Sequence, residues 1–301
     1  MTNDSWAFYA VCAYVVLFVV VATGIFMWKV KRRGGRTPVA FKLLRGPGES
    51  LRRRIAKFEE DVAFRLLGAA LAPLGAAVAV LWAIVRFFQV TSPTAIGIVL
   101  AISAVIFVGG FVLAQRWALR DLTRYRNDRL GYLGERDVAE HLEPLLSRGY
   151  RVFHDVPAEG DTSDFNLDHV AVGPNGVAAI ETKTRRKGRA RAGTKEHVVI
   201  YDGRQLIWPW GEEGREVLQA IGQAEWLKKF ILQRTGIATN VVPVLAIPGW
   251  WVEATARGTV TVTNSKTVAS AVAGRGARIL TDEQIDLIAR QLDERCRDVE
   301  D

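Results

Sequence analysis

Two cysteines in 301 residues, Cys12 and Cys296, leave no disulfide framework to hold this chain together. Only four histidines are present, scattered along the chain, which excludes a Cys/His zinc site. Charge is absent from three stretches: residues 6–28 carry none, and neither 66–85 nor 94–114 contains an acid or a lysine. Spans without ionisable groups have no carrier for a proton relay or an ion pathway, so a transporter or channel is disfavoured. No internal repeat and no low-complexity segment interrupts the pattern. A cleaved signal peptide is also a poor reading of the first apolar run. Thr2-Asn3-Asp4 supplies no positive charge, and no small-residue cleavage site follows.

What is present divides at about residue 115. The apolar runs lie before Ala114, and most carboxylates lie from Glu135 onward. Each run of ~20 residues suffices to cross a hydrocarbon core of ~30 Å as a helix. The expectation is three transmembrane helices, at about 6–28, 66–85 and 94–114. Trp6, Trp28, Trp82, Phe87, Phe88 and Trp117 cluster at their ends, where amphipathic rings prefer the headgroup level. Lysine and arginine are distributed asymmetrically: none in 1–28, only Arg86 in 86–93, twelve in 29–65 and five in 116–129. The positive-inside rule then puts the N-terminus outside, the basic loop 29–65 inside, and everything after Ala114 in the cytoplasm. Residues 1–129 read as a membrane region of the inner cell membrane, and 130–301 as a cytoplasmic domain. Gly68, Ala72 and Ala76 recur every fourth residue and would admit a close helix neighbour, while Pro73 is a candidate kink. Leu51, Ile55, Phe58 and Val62 share one helical face among arginines, which predicts a helix lying on the inner leaflet.

Helix and strand periods alternate in the second half. Helical runs are expected around Val138–Leu145 (stopped by Gly149), Arg215–Arg234 and Thr281–Arg297, and strands at Tyr150–Phe153, Phe165–Val172, Val177–Lys183, His197–Tyr201, Gln205–Trp208, Val241–Ile247 and Val260–Thr263. Gly173-Pro174-Asn175-Gly176 between two β-rich runs is a hairpin signal. These elements predict a mixed α/β or α+β sheet domain.

Four side chains carry the chemistry. Glu181 and Lys183 follow the apolar run Val177–Ile180 and, two residues apart, project from one face of their strand. Asp168 lies on the preceding strand. An even-numbered loop sets it across from Glu181, with Cβ atoms ~5 Å apart, whereas a bulge at Gly176 would put the two on opposite faces. Glu135 completes the group. Facing carboxylates ionise together only with a cation between them, and hard oxygen ligands suit Mg²⁺ or Mn²⁺. A salt bridge on an edge strand accounts for the same Glu-x-Lys spacing.

Gly134-Glu135, the run Asp168-His169-Val170-Ala171-Val172-Gly173-Pro174-Asn175-Gly176-Val177, and Ile180-Glu181-Thr182-Lys183 together resemble the nuclease-related domain (NERD) family. That family falls within the PD-(D/E)xK superfamily of restriction-endonuclease-like folds. The likeness continues through Trp208 to Gln219-Ala220 and Leu227-Lys228-Lys229-Phe230, covering roughly residues 130 to 250. It implies a C-terminal α/β domain with a central mixed sheet. It further implies Glu135, Asp168 and Glu181 near or on a Mg²⁺ (or Mn²⁺), Lys183 as catalytic lysine and Gln219 in the site. The implied function is metal-dependent phosphodiester hydrolysis of nucleic acid, DNA in the first instance, at the cytoplasmic face of a bilayer. The alternative is a catalytically inactive, membrane-tethered binding or scaffold module.

One departure from the family pattern is the basic run after Lys183. Where relatives often carry an aromatic residue, this chain has Arg185, Arg186, Lys187, Arg189 and Arg191. A phosphate clamp and a solvated hairpin tip are both open readings of that run. No base-reading motif accompanies it, so binding through it would tolerate any sequence. Core packing is the preferred reading of Trp208-Pro209-Trp210 and Trp250-Trp251.

The expected topology is checked by cysteine labelling in a background lacking the two native cysteines. Val90→Cys should react with an impermeant reagent from outside and Gly160→Cys should not. The reverse pattern overturns the orientation.

Overall fold

The computed structural model describes residue 24 and residues 42–89, 91–159, 165–274 and 277–299. Chain contacts separate residues 1–43 with 298–301 from residues 44–297. Of the first unit, Gly24, Lys42, Leu43, Asp298 and Val299 are described. Lys42, Leu43, Asp298 and Val299 contribute to a short ribbon between β1 (Lys42–Leu44) and β11 (Arg297–Val299). The expected span 6–28 therefore lies, apart from Gly24, outside the described residues.

Two further spans fall within long helices. α1 runs Glu49–Phe88 and α2 runs Pro93–Leu142. Ser92 starts α2 by accepting from the Ala95 N–H, with Pro93 at the first helical position, where its missing N–H costs nothing. Both helices are long and apolar enough to cross a bilayer. Among the described residues there are two such helices, not three. Pro73 does not end α1, and Gly110 of α2 lies against it, so that a Cβ added at Gly110 would come 3.3 Å from the proline Cβ. Leu66, Leu74, Val78, Trp82, Ile98, Val105 and Leu113 are exposed along the pair. An apolar surface this extensive suits lipid rather than water.

One expectation is corrected. Leu51, Ile55, Phe58 and Val62 do not form a separate helix on the leaflet, because the same helix continues from Glu49 through the apolar run. Their face meets α2. Leu51 lies beside Gly131, and Phe58 stacks on Tyr125 with centroids 4.8 Å apart. Tyr125 donates to Glu59 (2.8 Å), Arg54 pairs with Asp128 (3.4 Å) and Arg65 with Asp121 (2.6 Å). A two-helix stalk buries this face more completely than a water interface does.

α2 also crosses the boundary expected at 129/130 without a break and ends in a 3₁₀ turn, Glu143–Arg148. Gly149 closes it at φ 81°, donating to the carbonyls of Leu145 and Leu146, a conformation open to glycine at little cost. β2 (Arg151–Ala158), β3 (Phe165–Gly173) and β4 (Gly176–Thr182) then form an antiparallel meander. The chain continues through β5 (Val198–Tyr201), β6 (Leu206–Trp208), β7 (Gly211–Glu213) and helix α3 (Arg215–Thr235). β8 (Val241–Ala246) pairs parallel to β4, and β10 (Thr261–Thr263) parallel to β8. The main sheet therefore has the mixed order β10-β8-β4-β3-β2. A second sheet, β7-β6-β5-β9, takes in β9 (Trp251–Ala254). β7 and β9 were not expected from the sequence, and neither was the short helix α4 (Val268–Ala273).

Every residue of β4 is buried, as befits a central strand covered on both faces. Val177 and Ala179, with Val170 and Val172 of β3, pack under α3 and the closing helix α5 (Asp282–Arg295), through Leu227, Ile231, Ile288 and Leu292. Ala178 and Ile180 face the end of α2 and α4, through Val138, Leu142 and Val268. A capping box between Thr281 and Gln284 starts α5.

Leu142 is fully buried where α2 meets the sheet, whereas Leu146, one turn on, is 54% exposed. Leu142→Ala should therefore destabilise by about 2–5 kcal/mol, and Leu146→Ala by less than about 0.5 kcal/mol. Denaturant titration of the detergent-solubilised chain, followed by tryptophan fluorescence, measures both. Equal effects would contradict the packing of α2 on the sheet.

Candidate active site

The hairpin register decides whether Asp168 and Glu181 meet. Gly173 pairs with Gly176 across Pro174-Asn175, and the pairing proceeds without slip to His169 opposite Ile180. The next position sets Asp168 across from Glu181 on the face covered by α3. Gly176 takes φ 114° yet does not shift the ladder. The backbone N–H of Thr182 donates to Asp168 Oδ2 at 2.7 Å and fixes that carboxylate.

Glu181 is 4% exposed and is met from α3. Gln219 Nε2 donates to its Oε1 at 2.8 Å and Gln223 Nε2 to its Oε2 at 2.6 Å. One helical turn separates the two glutamines, so both amides reach the same carboxylate. Ala220 and Ala224, buried beside them, let α3 approach the sheet closely. Lys183 Nζ stands 3.9 Å from Glu181 Oε1. The edge-strand salt bridge is corrected on one point: β4 lies between β3 and β8, not at an edge.

Glu135 reaches the group from α2 and is 8% exposed. Its neighbour Gly134 is where the helix touches the strand exit, since a Cβ there would collide with the Thr184 side chain. Burial, with the charges of Asp155 and Glu181, pushes the Glu135 carboxyl up to about 8. Burial and the charges of Glu181 and Glu135 hold Asp168 well above the carboxylate range. Burial also raises Glu181, while Lys183 and Gln223 pull it back. These are mutually repelling acids held close together, the arrangement that a cation or extra protons relieve.

The donor set is hard oxygen, in keeping with Mg²⁺ or Mn²⁺. Gln223 Oε1 adds a buried acceptor without a hydrogen-bond partner among the described residues. Chemically, Asp168 and Glu181 fit such an ion. Among the described residues, though, no group of three His, Cys, Asp or Glu side chains is drawn together tightly enough to hold a metal.

Three contributors were not anticipated. Gln223 was visible in principle as the helical neighbour of Gln219. Glu216, 3% exposed, binds Arg185 and adds to the field at Glu181. Asp155 gave no sequence signal, because it sits unpaired in β2 at φ 48° between His154 and Val156. Arg45 Nη1 (3.0 Å), Ser50 N (3.1 Å), Ser50 Oγ (2.7 Å) and Asn166 Nδ2 (3.0 Å) all donate to its carboxylate.

The basic run is not uniform. Arg185 is half-buried and reaches Glu213 (2.8 Å) and Glu216 (2.6 Å), while Trp250 Nε1 donates to its carbonyl. Arg186 donates to the Arg126 carbonyl (2.7 Å), and Lys187 lies 5.9 Å from the Trp250 ring centroid. Arg189 and Arg191 are exposed. Trp208, Trp210 and Trp250 pack on one another, with Trp208 and Trp250 buried, so these rings serve the core of the second sheet.

Residues 130–248, which hold all of these acids, match the family model of the nuclease-related domain. This part of the chain is similar to nuclease-related domains. No curated protein and no solved structure matches the chain. The NERD match runs from the stalk end of α2 to Pro248, just past β8, so the acids, Lys183 and both glutamines fall inside it, whereas Arg45, Ser50 and α5 fall outside.

A raised acid has a definite sign in the stability. Between its ordinary value near 4.5 and about 8, folded Glu135 keeps a proton that the unfolded chain releases. Stability contributed there falls as pH rises through that window. In chelator, Glu135→Gln should flatten the decline of the thermal midpoint between pH 5 and 8. Parallel curves for variant and wild type would show that Glu135 is not the proton holder.

Proposed function

We propose that the protein is a membrane-anchored phosphodiesterase that cleaves nucleic acid with Mg²⁺ or Mn²⁺ at the cytoplasmic face, and one observation carries the reading. Within a nuclease-related domain, Asp168 and Glu181 face each other at the end of a buried strand, with Lys183 beside them. Asp168 and Glu181 would hold the ion, with Glu135 beside them. When bound, the ion supplies charge neutralisation and a more acidic water.

The remaining roles belong to the chain. Gln219 and Gln223 orient the Glu181 carboxylate, and the Thr182 N–H orients Asp168. The Lys183 ammonium meets the charge that develops on the phosphate as water attacks, a stabilisation felt mainly in the transition state. Glu135, raised to about 8, holds a proton at neutral pH in the absence of an ion. Arg186, Lys187, Arg189 and Arg191 add exposed positive charge in the segment that follows Lys183. The anchor is the pair α1 and α2, with the span expected at 6–28 as the third crossing.

A second reading keeps the fold without the chemistry, as a tethered nucleic-acid-binding or scaffold module. The absence of a tight three-ligand group among the described residues favours it.

Full-length protein in nanodiscs separates the two. Calorimetric Mn²⁺ titration should detect a site in wild type that Glu181→Gln or Asp168→Asn weakens at least tenfold. Incubation with plasmid and single-stranded substrates should give cleavage that needs the metal. Lys183→Ala should abolish turnover yet bind Mn²⁺ as tightly as wild type or more so, because a neighbouring cation has gone. Wild type without a site would leave the scaffold reading in place.

A further inference from the structure

The outer face of α3 lines a cavity of about 1350 Å³ whose wall includes Gln219 and Gln223, the two residues holding Glu181. Arg215, Trp226, Lys229 and Arg234 continue along the same wall. From Gln219 to Arg234 is fifteen residues, or ~22 Å of helix at 1.5 Å per residue. The lined face is therefore elongated along the helix, and Gln219 and Gln223, which hold the buried Glu181, form part of its wall.

Its charge is unbalanced. Arg215, Lys229 and Arg234 are exposed and form no ion pair among the described residues. Two carboxylates also line the wall. Glu159 is taken by Arg295 at 3.1 Å, which leaves Glu225 against three unpaired cations. Three cations against one free carboxylate leave a positive excess in a concave wall, which suits a polyanion.

The same wall carries aromatic surface. Trp226 is half-buried, stacked on Phe230 at 5.2 Å and edge-on to Phe165 at 5.9 Å. This packing, with the Arg295 guanidinium 5.3 Å from the ring centroid, fixes the indole while leaving part of it open to the cavity. A positive groove with an aromatic platform suits a strand whose bases are free to stack, whereas a duplex keeps its bases turned inward.

We propose that the α3 cavity is the track for a single strand of nucleic acid. Arg215, Lys229 and Arg234 meet successive phosphates, Trp226 meets a base, and the strand is led to the carboxylates past Gln219. This rests on the phosphodiesterase reading for its purpose but not for its test. The track is distinct from the basic run after Lys183, where Arg185 is already committed to Glu213 and Glu216.

The experiment measures binding of labelled 12-nucleotide single-stranded DNA, the same length of RNA, and a 12-base-pair duplex to the full chain in neutral-lipid nanodiscs. Fluorescence anisotropy in chelator keeps cleavage out of the readout. Wild type should prefer the single strands at least tenfold. Lys229→Glu with Arg234→Glu should weaken single-strand binding more than tenfold. The milder Lys229→Gln with Arg234→Gln should lower the salt slope by about 1.4, two phosphate contacts at ~0.7 each. Trp226→Leu should weaken single-strand binding several-fold with the slope unchanged.

Unaltered affinity in both double variants, or equal affinity for strand and duplex, overturns the track. So does loss of binding only when Arg189 and Arg191 are changed. Strand binding that depends on Lys229 and Arg234, in a protein that cleaves nothing, would keep the track and remove the phosphodiesterase. Cleavage indifferent to these residues would do the opposite.

Discussion

The Glu181 carboxylate stands at the end of a strand buried along its whole length, and an uncompensated charge there costs several kcal/mol. Much of the domain is arranged around that constraint. α3 must lie close enough for two amides to reach the carboxylate, and Ala220 and Ala224 allow it. The hairpin must stay in register so that Asp168 comes opposite, where the Thr182 N–H holds it. Lys183 must leave the strand on the same face. Satisfying one buried acid while adding a second beside it stores the repulsion that makes a cation welcome.

The site has a second root in the apolar helices. α2 belongs both to the pair of long apolar helices and to the stretch that matches the nuclease-related domain, and it delivers Glu135 one residue after Gly134, which lies against the strand exit. The turn before α1 reaches the same neighbourhood: Arg45 and Ser50 hold Asp155, whose charge helps to raise Glu135. Apolar helix pair and carboxylate cluster are thus one packed structure rather than a domain hung on a linker. The site therefore draws on residues outside the family match.

Several features were legible in the residues. The turn at Pro174-Asn175, the strands around it and the helix bearing Gln219 all follow from local pattern, because hairpin chemistry and helical period act over a few residues. The register of Asp168 against Glu181 was one of two open alternatives, and only the ladder decides it. Asp155 was invisible, since its importance comes from partners more than a hundred residues earlier in the chain. The leaflet helix was misread for the same reason. An apolar stripe reports that a face is covered, and Phe58 is covered by Tyr125, not by lipid.

By itself the sequence determined where apolar helices, turns and the candidate acids lie, because hydrophobic period, charge placement and turn residues are local properties. Tertiary structure decided which acids meet, which arginines are free and which helix face is open. Arg185 and Arg234 look alike in the sequence. One is bound to Glu213 and Glu216 and the other lines an unneutralised cavity, because pairing depends on what long-range packing brings within a few ångströms.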